Sequence, residues 1–219
     1  MTDVVPASQP ATAALADLLQ LRGRTGWLTP PLRPFQRGEG AVLGAARTVR
    51  IAAGPGAHGL KPLHALLAED LTGRVVVIAG ANAAPGAVWG EILTAAALGR
   101  GAVGALVEGS VRDVSAVARS GLRLWALAEA TAGPGGAVHV AEVGGPIEIA
   151  GTPVADGDPI LLDDGGAVAL PAADADTLLA DALTYHRAEE EVLAALTAGL
   201  RLPRAYTPKA EAITRLRGR

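Results

Sequence analysis

The sequence predicts an α/β fold in which a mixed sheet is flanked by helices and followed by a long C-terminal helix. Val75–Gly80 (VVVIAG) and Gly104–Glu108 are continuous apolar runs, which is typical of strands buried on both faces. The Ala- and Leu-rich segment Trp89–Leu98 between them has helical character. A second helical pattern, Ala173–Ala198, is apolar on one side and charged at residues 189–191.

The two buried strands and the helix between them form one predicted βαβ unit. A right-handed crossover places the ends of both strands at the same sheet edge, where open α/β sheets bind ligands. Glu91 lies in the first turn of the helix, and Arg112 and Asp113 follow the second strand. We therefore expect these three residues to face one pocket, above a loop of small residues at 81–86 that includes Asn82.

The remaining elements are predicted from periodicity and from Gly and Pro positions. The pattern indicates an N-terminal tail and helix over 1–24, an α/β domain over 25–200, and a basic, proline-punctuated tail or arm over 201–219. Within the domain, Trp27–Gly40 is expected to be an ordered loop, and Val114–Ser120 a short helix. The other predicted helices are Ala11–Leu21 and Leu60–Leu71, and the other predicted strands are Gly44–Ala53, Leu122–Ala126, Val138–Val143, Pro146–Ile149, Pro159–Leu162 and Ala167–Leu170.

Composition narrows the function classes. The chain of 219 residues has no cysteine, so thiol catalysis and disulfides are excluded and metal ligands must be oxygen or nitrogen. A net charge of −3 disfavours nucleic-acid binding. The sequence lacks an apolar run long enough to span a membrane and a signal-peptide pattern, so we expect a cytoplasmic protein without a membrane partner. G-x-G-x-x-G, Walker A and G-x-S-x-G motifs are also missing.

Each candidate residue has a structural interpretation beside the functional one. Arg112 suits a bidentate clamp for a substrate carboxylate, or a surface ion pair. Asp113 suits a hard divalent cation, or an N-cap of the helix that follows. Glu91 suits an enolate-stabilising site, or a favourable interaction with the helix dipole. The free amides of Ile92 and Leu93 can bind an anion. His58, in a glycine loop, is a possible pocket residue.

The segment WGEILTAAALGRGAVGALVEGSVRD (89–113) resembles the hallmark segment of the RraA-like family, which includes 4-hydroxy-4-methyl-2-oxoglutarate/4-carboxy-4-hydroxy-2-oxoadipate aldolases. PGAHGLKPLHALLAEDLTGRVVVIAG (55–80) and GTPVADGDPILLDDGGAVALP (151–171) are similar to two further blocks of that family. The resemblance covers about residues 25–200 and implies a swivelling β/β/α domain. It also implies a homotrimeric ring with active sites at the subunit interfaces.

The resemblance implies a class II pyruvate aldolase or oxaloacetate decarboxylase, in which Mg²⁺ or Mn²⁺ stabilises a pyruvate enolate. By that resemblance Arg112 binds the pyruvate carboxylate, Asp113 holds the metal, and Glu91 assists through water. The helix start at Gly90, with the amides of Ile92 and Leu93, contacts the carboxylate. An acid of a neighbouring subunit's C-terminal helix also contributes; the candidates are Glu189, Glu190 and Glu191.

This chain departs from the family pattern at five positions. Ala57 and His58 replace an Asp-Asn pair, Ala79 and Ala116 stand where acids are usual, and Glu108 replaces an Asp. The leading interpretation is a metal-dependent lyase acting on a small 4-hydroxy-2-oxo diacid or oxaloacetate. One alternative is a non-catalytic regulator that binds a ribonuclease or another protein. Another is a specialised biosynthetic lyase with an altered pocket in which His58 takes part.

Overall fold

The computed structural model describes residues 9–217, and eleven strands, seven α-helices and one short 3₁₀ helix, Ala81–Ala83, lie within that range. The strands are β1 Arg33–Gln36, β2 Val42–Ala53, β3 Arg74–Ala79, β4 Ala87–Trp89, β5 Gly104–Val111, β6 Arg123–Glu129, β7 Val138–Val143, β8 Ile147–Ile149, β9 Thr152–Val154, β10 Pro159–Asp163 and β11 Gly166–Ala169. The helices are α1 Thr12–Leu21, α2 Lys61–Leu66, α3 Glu91–Gly99, α4 Val114–Ser120, α5 Ala175–Thr197, α6 Leu202–Ala205 and α7 Thr207–Leu216.

One mixed sheet organises the molecule, in the order β1-β6-β5-β3-β2-β10-β11, with β4 added beside β5 and β7 beside β2. Strands β2, β3, β5 and β6 are parallel, so their carboxyl ends meet at one edge. The outer strands β1, β10 and β11 run antiparallel to their neighbours. The predicted α/β fold, with a mixed sheet, flanking helices and a long C-terminal helix, is confirmed.

Strand β3 shows why the central runs are wholly apolar. Successive side chains point to opposite faces of a strand, so Val76 and Ile78 enter one core and Val75 and Val77 enter the other. The first core lies beneath α2, α3 and α4, and it includes Leu63, Trp89 and Val117. Because both faces are covered, no polar position is tolerated between Val75 and Ile78.

A third core joins α1, α5 and α7 to the β10–β11 hairpin. Arg22 and Asp181 form a salt bridge of 2.6 Å within it, between side chains that are only 10% and 7% exposed. None of the helices within residues 9–217 has the length and apolarity needed to cross a membrane.

The largest differences from the sequence prediction lie in two segments, and shorter ones are β4 at 87–89, where Trp89 was expected to begin a helix, and β9 at 152–154, where no strand was expected. Residues 201–217 form α6 and α7, which pack against α5, whereas an extended basic tail or arm was expected. Pro203 and Pro208 are the second residues of these helices, in the first turn, where a backbone N–H has no intrahelical partner to lose. Within the expected loop Trp27–Gly40, residues 33–36 form the edge strand β1.

Candidate active site

The candidate site begins where β5 ends. The strand continues through Val111, three residues beyond Glu108, the predicted end of the strand. Gly109 is required there, because a Cβ at this position would lie 2.7 Å from the Cβ of Ala81. The Arg112 N–H then donates to the Trp89 carbonyl at 2.9 Å. This bond joins the end of β5 to the segment that leads into α3.

The first turn of α3 supplies free backbone donors. The helix begins at Glu91, and the Thr94 N–H donates to the Gly90 carbonyl at 3.0 Å. The amides of Ile92 and Leu93 precede the first possible intrahelical bond, and neither donates a hydrogen bond within residues 9–217. The turn is anchored from below, because the buried Trp89 indole donates to Thr94 Oγ1 at 2.8 Å.

Asp113 joins the two elements. Its backbone is left-handed, with φ 56° and ψ 35°, which directs the carboxylate back toward α3. Asp113 Oδ2 accepts a hydrogen bond of 3.3 Å from the Glu91 N–H. Asp113 occupies the N-cap position of α4, but its side chain makes no capping bond there. The N-cap interpretation is therefore wrong for the side chain, which serves the start of α3 instead.

Arg112 lies beside this carboxylate, with Nε 3.7 Å from Asp113 Oδ2 and both side chains 44–45% exposed. The close approach depends on Gly90, because a Cβ there would lie 2.7 Å from Asp113 Oδ2 and 3.0 Å from Arg112 Cγ. An open groove of about 510 Å³ adjoins the pair. Its lining comprises Val111, Arg112, Asp113, Val114, Ser115, Ala116, Arg119, Glu129, Ala130 and Thr131.

The structure therefore brings together the predicted residues Gly90, Glu91, Arg112 and Asp113. Glu91 takes part in this arrangement through its backbone N–H, which donates to Asp113. Its side chain is exposed and does not line the groove. Sequence reasoning missed Arg119 as a groove residue. Its place six positions after Asp113 on the predicted helix was the available signal, because residues 115, 116 and 119 share one helical face.

The Glu108 carboxylate accepts hydrogen bonds from two backbone N–H groups beneath the site. Its Oε2 accepts from the Gly80 N–H at 2.8 Å, and its Oε1 accepts from the Ala150 N–H at 2.9 Å. Each carboxylate oxygen therefore joins β5 to a different neighbouring loop. The residue that replaces the family's usual Asp thus satisfies buried backbone donors.

His58 is exposed on a loop after β2, and Asn82 is exposed in a short 3₁₀ helix after β3, so both lie at the same sheet edge. Within the described part of the chain, neither side chain forms a hydrogen bond or an ion pair with Glu91, Arg112 or Asp113. The positions with missing acids also differ from one another: Ala79 is buried in the core, Ala57 is exposed, and Ala116 lines the groove. Only Ala116 thus changes the surface next to Arg112 and Asp113.

The three candidate acids of α5 have different environments. Glu189 Oε1 accepts from Lys209 Nζ at 2.7 Å, so it holds α7 in place. Burial alone would lower the pKa of Lys209, but the bonds to Glu189 and Tyr185 outweigh it and raise this pKa. Glu190 lies 3.8 Å from the imidazole of His186, and Glu191 is exposed. Glu190 and Glu191 are therefore the candidates still available to a neighbouring subunit.

Metal-binding capacity at the site rests on Asp113. Residues 9–217 contain no group of three or more acidic or histidine side chains able to hold a metal ion. Asp113 Oδ1, however, accepts no hydrogen bond in this range, and the carboxylate is half-exposed. Mg²⁺ is commonly bound through one or two carboxylates, with water and substrate oxygens completing its octahedron. The donor set therefore fits a hydrated hard cation and does not fit a cage made of protein ligands alone.

The chain is similar in sequence to one family of known proteins. The family model described as RraA-like, aldolase/RraA, matches residues 12–169. A protein of Halalkalibacterium halodurans named "Putative 4-hydroxy-4-methyl-2-oxoglutarate aldolase" is 26% identical over 198 residues, covering 90% of each chain.

Solved structures show the same fold. An uncharacterized protein of Pseudomonas syringae superposes with a TM-score of 0.78 at 24% identity, covering 90% of this chain and 92% of its own. Streptomyces coelicolor RraAS2, titled an unusual member of the RNase ES inhibitor RraA protein family, superposes with a TM-score of 0.72 at 23% identity. That match covers 85% of this chain and 91% of RraAS2.

Proposed function

Because the chain belongs to the RraA-like family, we propose that it is a divalent-metal-dependent carbon–carbon lyase acting on small 2-oxo acids. Its substrate is a 4-hydroxy-2-oxo diacid or oxaloacetate, cleaved through a pyruvate enolate. The observation that carries the proposal is the hydrogen bond from the Glu91 N–H to Asp113 Oδ2. This bond holds the half-exposed Asp113 carboxylate beside Arg112 and close to the free backbone amides at the start of α3.

Asp113 would hold Mg²⁺ or Mn²⁺ through Oδ1, while Oδ2 stays bonded to α3. When bound, a divalent ion supplies Lewis-acid stabilisation for the negative charge that develops on the 2-oxo oxygen. The protein contributes one carboxylate, so we expect affinity in the range of weakly held, water-rich magnesium sites.

The substrate carboxylate would be bound by Arg112 and by the amides of Ile92 and Leu93. A guanidinium presents two parallel N–H donors to a carboxylate, and a helix N-terminus adds backbone donors of the same polarity. These groups orient the 2-oxo acid, so that the bond to be broken is held in a fixed direction relative to Asp113. Glu91, exposed at the same helix start, would take up and return a proton through water.

A neighbouring copy of the chain would complete the site. Ile92 is 75% exposed although it lies in the first turn of α3, one residue from Glu91. A single exposed apolar side chain does not by itself indicate an interface, so the proposal of a neighbouring subunit rests on the resemblance to the family. We therefore propose the trimer of the family for this chain, with Glu190 or Glu191 of the adjacent copy near the substrate.

The competing proposal is a non-catalytic regulator that binds a ribonuclease or another protein. It is favoured by the alanines at positions 57, 79 and 116 and by the lack of a multi-acid metal cluster within residues 9–217. A lyase with an altered substrate is intermediate between the two, because it keeps Arg112 and Asp113 but uses a pocket with fewer acids. The proximity of Arg112, Asp113 and the free amides supports the enzyme.

The proposed lyase function is tested by measuring the release of pyruvate. Wild type would be assayed on oxaloacetate and on 4-hydroxy-4-methyl-2-oxoglutarate with Mg²⁺, with Mn²⁺ and with EDTA. Asp113→Asn keeps a residue that tolerates left-handed backbone and an oxygen that accepts from Glu91 N–H, but it removes the charge. We expect EDTA or Asp113→Asn to lower turnover at least about 100-fold.

Asp164→Asn is the matched control, because Asp164 is exposed in the β10–β11 turn and makes no side-chain hydrogen bond within the described residues. Metal binding without turnover of either compound would favour an altered substrate. If wild type neither bound metal nor released pyruvate, the regulator would replace the enzyme as the preferred function.

A further inference from the structure

The groove beside Arg112 and Asp113 carries a second arginine. Arg119 lies in the last turn of α4, and its side chain lines the same groove of about 510 Å³. It lies five positions after Val114, or about 7.5 Å along the helix axis. The groove thus presents two guanidinium groups, with the candidate metal ligand Asp113 beside one of them.

Arg119 has no carboxylate partner among the residues that the structure describes. Within residues 9–217 its side chain makes neither a hydrogen bond nor an ion pair. Arg47 and Arg50, two other surface arginines, each pair with a carboxylate at 2.9–3.0 Å. An exposed guanidinium that lines a groove and has no protein carboxylate is available to an anionic ligand.

The neighbouring residues on α4 explain why Arg119 is free. Ser115 and Ala116 precede it by four and three positions, so they share its helical face and also line the groove. An acidic side chain at either position would be placed to pair with Arg119. Because Ala116 has only a methyl group, the Arg119 charge stays unpaired and the groove beside it stays open.

We propose that Arg119 binds the distal carboxylate of a dicarboxylic 2-oxo acid whose 2-oxo-acid end lies at Arg112 and Asp113. This inference rests on the proposed lyase function and adds the residue that distinguishes a diacid from a 2-oxo acid with an uncharged tail. Arg119 is then a substrate-binding residue that determines specificity.

Glu129 lines the same groove and opposes this role by its charge. It is exposed at the end of β6 and has no ion pair within the described range. Its negative charge repels the distal carboxylate that Arg119 attracts. Removal of the Glu129 charge should therefore strengthen diacid binding, which is opposite in sign to the removal of Arg119.

The contact between Arg119 and the distal carboxylate also distinguishes aldol cleavage from oxaloacetate decarboxylation. In aldol cleavage the C3–C4 bond breaks, the C4 hydroxyl loses its proton to a base, and C4 becomes a carbonyl. The electron pair stays on C3 as the enolate, which takes up a proton to give pyruvate. The distal carboxylate remains an anion throughout, so Arg119 holds it from substrate to product.

In oxaloacetate decarboxylation, by contrast, the distal carboxylate is the leaving group. Its C–C bond pair passes to C3, and it departs as neutral CO₂, so the ion pair with Arg119 is lost as the reaction proceeds. Arg119 therefore favours hydroxy diacids cleaved by the aldol route over oxaloacetate.

Equilibrium binding tests the inference without requiring turnover. 2-Oxoglutarate and 2-oxopentanoate share the 2-oxo-acid end, have the same chain length and differ in the distal carboxylate. Their affinities would be measured by calorimetry in Mg²⁺ for wild type, Arg119→Ala, Arg119→Lys and Glu129→Gln. Arg100→Ala is the matched control, because Arg100 is exposed at the other end of α3.

We expect Arg119→Ala to weaken 2-oxoglutarate binding about tenfold and to leave 2-oxopentanoate within about twofold. Arg119→Lys should recover part of the loss, and Glu129→Gln should tighten 2-oxoglutarate alone. Equal effects on both ligands, or no effect on either, would overturn the role of Arg119 while leaving the lyase intact. If wild type bound neither 2-oxo acid and released no pyruvate, the lyase proposal itself would fail, and this inference with it.

Discussion

Glu108 and Ala150 are joined by a hydrogen bond of 2.9 Å from the Ala150 N–H to Glu108 Oε1. Ala150 has a left-handed backbone, with φ 43°, and it is 5% exposed. The second oxygen of Glu108 receives the Gly80 N–H at 2.8 Å. One carboxylate thus links the end of β3, the middle of β5 and the β8–β9 hairpin.

Substitution of Glu108 by Ala should therefore destabilise the protein. It would leave two largely buried backbone donors without a partner, and we expect a loss of about 2–3 kcal/mol in the free energy of unfolding. Urea denaturation measures the difference. Glu148→Ala is the control, because Glu148 is exposed on β8 and makes no side-chain bond within residues 9–217. Equal shifts in the two variants would argue against the linking role.

The buried pair Arg22–Asp181 should matter more than the exposed pair Arg24–Asp174. Arg22→Ala removes a guanidinium that lies 2.6 Å from a carboxylate in a pair whose side chains are only 10% and 7% exposed, and we expect a cost of about 3 kcal/mol. Arg24→Ala removes half of a pair whose side chains are 34% and 41% exposed, and it should cost about 1 kcal/mol or less. Chemical denaturation of both variants provides the comparison, and similar costs would contradict it.

Stability should fall at alkaline pH because of Tyr185. Burial, reinforced by the hydrogen bond to Asp17, raises the pKa of Tyr185 from 10.0 to about 12. Since the unfolded state loses this proton first, the stabilisation is complete below pH 10 and is lost as the pH rises from about 10 to 12. The raised pKa of Lys209 acts in the same direction.

Tyr185→Phe removes this titration. The urea midpoint of the variant should therefore fall less steeply than that of wild type between pH 9.5 and 11.5, each measured against its own value at pH 8. Tyr206→Phe is the control, because Tyr206 is 40% exposed. A slope in Tyr185→Phe as steep as in wild type would exclude Tyr185 as the cause.

Gly90→Ala should damage the site while leaving the fold intact. The new Cβ would lie 2.7 Å from Asp113 Oδ2, so the atom that must move is the end of the candidate metal ligand. The backbone of Gly90 is extended, with φ −168°, and accepts alanine. We expect Mg²⁺ or Mn²⁺ affinity and pyruvate release to fall about tenfold or more.

Gly99→Ala is the paired control for this change. A Cβ at Gly99, the last residue of α3, meets no atom within 4 Å. It should keep wild-type metal affinity and turnover. If Gly90→Ala also kept both, Asp113 would not be the metal ligand in the position that the structure gives it.

The central unit was predictable from the sequence because its signals are local. The apolar run of β3 and the glycines around α3 determine the elements that bring Arg112 and Asp113 beside Gly90. The direction of the Asp113 carboxylate was not predictable. It depends on a left-handed backbone and on a partner 22 positions earlier in the chain.

The C-terminal region was predicted less well for a different reason. Pro203 and Pro208 were interpreted as interruptions, but each is the second residue of a helix. Local composition could not show that Lys209 would bond to Glu189 and lie 5.0 Å from the Tyr185 ring centroid. These contacts fold α7 back onto α5, and they are made only in the tertiary structure.

Enolate formation is the step that tests the central claim most directly. Wild-type protein would be incubated with pyruvate in D₂O, and the loss of the methyl proton signal would be followed by NMR with Mg²⁺, with Mn²⁺ and with EDTA. A metal-stabilised pyruvate enolate at Asp113 and Arg112 predicts proton exchange that requires the ion and is abolished in Asp113→Asn but retained in Asp164→Asn. Absence of exchange with either ion, or exchange that EDTA and Asp113→Asn leave unchanged, would contradict the proposed mechanism.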